Sequence, residues 1–172
     1  MEEILLWSQL ILKTTPSRWI ALAESLPPAL LRRDPAPGEW SGLDCLSHLV
    51  DAERWVFPVR VVCFLEGKDF PAFDPDADGS HSKAPPDTAG LAKEFEILRK
   101  ESLQLFGRLG AGDLARTARH PELGQVTLSE LIHEWAAHDL MHTVQAERAM
   151  MQPFIEGCGP WQSYFSDHVA RK

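Results

Sequence analysis

Residues 127–149, TLSELIHEWAAHDLMHTVQAERA, decide the fold. Thr127 followed three residues later by Glu130 is a capping box that opens directly onto apolar residues at helical spacing. The pattern predicts a helix from Thr127 to about Gln152, just before Pro153. Steps of three and four trace its inward stripe through Leu128, Leu131, Trp135, His138, His142, Gln145 and Ala149. Polar residues occupy the middle of that stripe. His138 and His142, at i and i+4, are only about 40° apart around a helix, so both imidazoles can face one point between helices. A lone core histidine is ordinarily satisfied by backbone or carboxylate partners. Two stacked neutral imidazoles need two such sets, whereas one divalent cation satisfies both.

A third ligand should come from another helix. Ser41, with Asp44 three residues on, is a looser capping box and predicts a helix to about Gly67, bent by Pro58. Its stripe of Cys45, His48, Ala52, Trp55, Val59 and Val62 offers His48 as that ligand. Three neutral histidines leave a divalent metal with an open position, the arrangement of catalytic rather than structural sites. That position suits water or a thiolate. Imidazole suits zinc, nickel, copper and iron alike; zinc is the expected metal, with nickel, iron or manganese as alternatives. Trp55 and Trp135 are candidates to line an apolar pocket beside the metal, and Cys45, one turn before His48, can touch the site or be a buried inert thiol. Glu134 is the one candidate for a general base, through an approach to the site from four residues before His138, with a surface role as its alternative. Asp139, rotated by about 100° from His138, is expected at the surface.

The remaining chain predicts two more helices. Residues 2 to about 25 carry Ile4, Trp7, Ile11, Trp19, Leu22 and Leu26, with Pro16 as a kink or a new start. Residues 88 to 109 place Leu91, Phe95, Leu98, Leu105 and Leu109 on an apolar side. Proline-dense stretches at 27–28 and 34–38 separate the first two helices, and a polar loop spans 68–87. Phe70 and Phe73 on that loop are placed to close over the pocket or to pack elsewhere. Strand alternation never persists beyond a few residues, so the expected fold is a single all-α domain over 1–172, a four-helix bundle with one long crossover.

Other motifs fail on spacing. His133 and His138 are one residue too far apart for HExxH. Asp74, Asp76, Asp78 and Gly79 imitate the start of a calcium loop, but Pro85 stands where the bidentate glutamate belongs. His81, His120 and His168 are expected in solvent.

Composition excludes several function classes. The 172 residues carry 17 Lys and Arg against 25 Asp and Glu, a net charge of −8, which repels phosphate backbones and anionic membranes. Apolar runs fall far short of the ~20 residues that span a bilayer. An acidic start lacks the basic region of a signal peptide, so a cytoplasmic protein acting on a small molecule, without nucleic-acid or membrane partners, is expected. Cys45, Cys63 and Cys158 have no CxxC spacing and are expected to be reduced.

Trp40-Ser41, His48-Leu49 with Asp51 and Glu53, Leu123 to Leu128, and Trp135 to His142 with Gln145 together resemble the DinB/YfiT-like superfamily over nearly the whole chain. The resemblance implies an up-down-down-up four-helix bundle, a metal held by His48, His138 and His142, and a homodimer. For activity it implies first a thiol-dependent transferase, in which a low-molecular-weight thiol attacks a small electrophile, and as the alternative a metal-dependent hydrolase. A non-catalytic metal- or ligand-binding stress protein stands beside them.

Overall fold

The computed structural model describes residues 2–71 and 87–170. Four long helical segments form the bundle: α1 (Glu2–Ser25), the pair α3 (Gly42–Asp51) and α4 (Phe57–Glu66), α5 (Thr88–Phe106) and α6 (Leu128–Gly157). A single turn, α2 (Pro28–Leu31), interrupts the first proline-rich link. Ser8 bonds the carbonyl of Ile132, and Trp19 packs in one cluster with Ala146, so α1 and α6 run in parallel. Gly42 abuts Ala146 while Phe57 stacks on Trp135; Phe95 clusters with Ala146 while Phe106 meets Trp135. Both middle segments therefore run against α6, which is the up-down-down-up order. Among the described residues no helix is long and apolar enough to cross a membrane.

Both predicted capping boxes form: Ser41 and Asp44 exchange bonds at the start of α3, and Thr127 and Glu130 do so at α6. Pro16 neither breaks nor restarts α1. Lacking an N–H, it leaves the carbonyl of Leu12, four residues back, without its helical donor, and Arg99 Nη1 supplies one at 2.9 Å. Pro153 likewise lies inside α6, which continues to Gly157. Helix α5 ends at Phe106 rather than Leu109, and its buried stripe is Thr88, Ala92, Phe95, Arg99, Ser102 and Phe106, one position round from the predicted leucines. Those leucines pack on the flanks of the core.

The largest departure lies between α3 and α4. Ala52–Val56 is one turn of π-helix, closed by the Phe57 N–H bonding back five residues to Ala52. The wider turn accommodates Pro58, which has no N–H and would crowd the carbonyl four residues back. One inserted residue rotates everything after it by about 100°. Trp55 is consequently 47% exposed, with Val59 and Val62 also at the surface, while Phe57, Val61 and Phe64 face the core. A short antiparallel hairpin, β1 (Thr117–His120) and β2 (Gly124–Thr127), leads into α6; its four-residue strands are too brief to show as alternation. Gly124 takes a left-handed φ of 78° at the turn.

The aspartates 74, 76 and 78, Phe73 and His81 lie outside the described residues. Phe70 is buried against Phe64 and His120, away from the histidine cluster. His120 sits in β1 rather than free in solvent, its Nδ1 accepting from the Glu122 and Leu123 N–H groups, while His168 is exposed.

Candidate metal centre

Helices α3 and α6 bring His48, His138 and His142 together. The ring centroids lie 4.5–5.0 Å apart, and one candidate ligand atom from each falls within 4.8 Å of the others. Packing holds each ring. Trp40 stacks on His142 at 5.6 Å and tilts against His48 at 5.1 Å, while Phe57 meets His138 edge-on at 5.1 Å. Gln145 Oε1 accepts from His142 Nδ1 at 3.0 Å, which fixes the tautomer and leaves the Nε2 lone pair free for the cluster.

His138 is the least satisfied of the three. Its Nε2 faces His48 Nε2 at 3.0 Å, and its Nδ1 is buried with no hydrogen-bond partner. Burial, then the neighbouring His142, His48 and Arg99, push its pKa down to about 3. Burial and His48 bring His142 down to about 4 against the opposing pull of Gln145 and Asp139, and burial also lowers His48. All three imidazoles are therefore neutral at pH 7, and of the facing Nε2 atoms of His48 and His138 one donates to the other. This donor set fits a divalent transition metal, which takes neutral imidazole and releases His138 and His48 from serving as each other's partner.

A cavity of about 610 Å³ opens against His48, lined by Trp40, Val56 and the carboxylates Asp34, Glu39, Asp44 and Asp51. The proposed pocket residues are not in its wall. Trp55 is turned out by the π-helical turn, Trp135 lies beneath Phe57, and Cys45 is fully buried, its thiol pushed up to about 12 by burial and Asp44. Glu134 is exposed and lines a separate small cavity with Arg60 and His120.

Behind the histidines lies a second polar cluster that the sequence reading did not identify. Arg99 spends all five donors: Nε and Nη2 on Glu53 at 2.9 and 2.8 Å, Nη1 and Nη2 on Asp139 at 2.6 and 2.9 Å, and Nη1 again on the Leu12 carbonyl. Trp135 Nε1 adds a bond to Glu53 at 3.3 Å. Asp139 is thus 0% exposed rather than at the surface, and Glu53 turns inward on the π-helical turn. The available signals were Arg99 at helical spacing between Phe95 and Phe106, and a proline that leaves a core carbonyl open.

Residues 11–146 match the DinB superfamily. The structure of YfiT from Bacillus subtilis, described as a probable metal-dependent hydrolase with an unusual four-helix bundle topology, superposes with a TM-score of 0.76. That match covers 90% of this chain and 89% of YfiT at 19% sequence identity, a likeness of fold. No curated protein matches the sequence.

Proposed function

The chain belongs to the DinB superfamily, and on that premise we propose that it is a metal-dependent enzyme whose His48, His138 and His142 hold one divalent transition metal, zinc in the first instance. The observation that carries this is the meeting of three neutral imidazoles on one point with a cavity beside them and no fourth protein ligand in the cluster among the described residues. Structural metal sites ordinarily close with a fourth ligand. When bound, such a cation supplies Lewis acidity toward water, a thiol or a substrate carbonyl.

The chain's own residues orient and enclose. Gln145 holds His142 in one tautomer, Phe57 and Trp40 fix the ring planes, and Trp40 offers an aromatic wall to a substrate. Hydrolysis is the favoured reaction, the activity ascribed to YfiT. Among its described lining residues the cavity has four carboxylates and no lysine or arginine. Glu39 and Asp51 pair with Arg148 and Arg54 from outside it, and the acidic remainder, Asp34 and Asp44, disfavours an anionic thiol as cosubstrate and ranks the transferase reading second.

Elemental analysis of purified protein tests the proposal. About one transition metal per chain, lost in His138→Ala/His142→Ala, is expected. No metal after reconstitution sinks it. Ester and amide hydrolysis, assayed beside thiol conjugation to an epoxide, then separates the two reactions.

A further inference from the structure

The Glu53–Arg99–Asp139 cluster sets one guanidinium against two carboxylates, all at 2% exposure or less. Burial alone would lower the Arg99 pKa, but the two flanking carboxylates outweigh it and hold it well above its ordinary value. Every arginine donor is used, yet one negative charge is left over in the core, and an uncompensated buried charge is costly. The histidines beside it have the opposite deficit once they hold a dication, since three neutral imidazoles cancel none of its charge.

The two clusters touch through covalent and stacked links. Asp139 follows His138 in the chain, and Glu53 lies five residues after His48 on the same helical run. Trp135 bonds Glu53 and stacks on Phe57 at 5.1 Å with their planes 4° apart, and Phe57 in turn packs edge-on against His138. Asp139 favours positive charge at His142, while Arg99 on its own opposes it at His138, so any help to a cation there comes from the two carboxylates that outnumber the guanidinium. Glu53 lies four residues after Leu49 and seven after Leu46, so the buried stripe of α3 carries it inward as the π-helical turn begins.

We infer that the Glu53–Arg99–Asp139 cluster is the counter-charge of the metal centre, its surplus negative charge tightening the grip of the three histidines on a dication. Glu53 and Asp139 are then positioning residues that act through His138 and His142. The inference rests on the metal-centre reading above.

The test is the dissociation constant for Zn²⁺, measured by competition with a chromophoric chelator, together with the thermal stability of the metal-free protein. Glu53→Gln keeps the shape and removes the surplus charge; it is expected to weaken zinc binding by about ten-fold or more. Glu53→Asp keeps the charge but shortens the reach; it is expected to lower stability while holding zinc within about three-fold of wild type. A role in packing alone predicts the reverse, with zinc affinity unchanged in Glu53→Gln, and that result overturns the inference while leaving the metal centre standing. If Glu53→Gln fails to fold, Asp139→Asn carries the same expectation and the same refutation. Wild-type protein that takes up no zinc is a different failure, which removes the metal centre itself.

Discussion

Two polar clusters lie side by side in the middle of this bundle, and they solve burial in opposite ways. Around Arg99 every donor has an acceptor within 2.9 Å, supplied by Glu53, Asp139 and the carbonyl that Pro16 leaves open. Around His138 one ring nitrogen faces only another imidazole and the other faces nothing. A network whose hydrogen bonds are complete holds a fold together even while it carries a surplus charge, whereas one with open hydrogen-bonding groups marks a place where stability has been given up for a ligand. The difference shows that buried polarity by itself does not identify a functional site. What identifies it is a cluster whose needs the protein leaves unmet.

The contrast is broken most sharply at Arg99. Arg99→Met strands two buried carboxylates, and unfolding in denaturant should show a loss of about 3–5 kcal/mol; a loss below 1 kcal/mol would mean that the cluster contributes little to the fold. The opposite sign is expected across the divide. His138→Leu replaces a poorly partnered imidazole by an apolar side chain, so metal-free protein should gain roughly 0.5–2 kcal/mol while metal uptake disappears. Destabilisation in that variant would show that the histidines serve the fold as well as the site.

Acid sharpens the same comparison. His138 and His142 are held at about 3 and 4 in the folded protein, below the ordinary value of about 6.5 that they regain on unfolding. Between these limits the unfolded chain binds more protons, so the stability that comes with neutral imidazoles is complete above about pH 6.5 and is lost as pH falls toward 4 and below. Melting temperatures of the metal-free protein should fall across that window, and a His138→Leu/His142→Leu variant should show a flatter profile. The smallest effect belongs to a site that touches neither cluster. Thr127→Ala removes the cap of α6 and should cost about 1 kcal/mol without moving metal affinity, as read by melting and zinc titration in parallel.

Much of this molecule was legible in its sequence because the relevant physics is local. A capping residue sees an N–H two or three positions ahead, and steps of three and four define a face within a few turns, so Ser41, Thr127 and the stripe from Leu128 to Ala149 could be placed without a structure. That stripe set His138 above His142, and the sequence reading also picked out His48. The errors began where a local rule met a distant neighbour. Pro153 read as the end of its helix, and Pro16 as a kink or a new start, yet α6 runs on to Gly157 and α1 does not restart. Trp55 read as pocket-lining because a regular 3.6-residue period was carried past Ala52, where the helix inserts one residue.

The sequence by itself therefore determined the four helical segments, the caps at Ser41 and Thr127 and the histidines on the inner faces, all set by contacts within a turn or two of chain. Only the tertiary structure decided which polar residues share the core. Arg99, Glu53 and Asp139 come from three separate helical segments, and each alone reads as a surface charge. A buried charge is stable only when its partners are already in place, and those partners exist only once the bundle has closed.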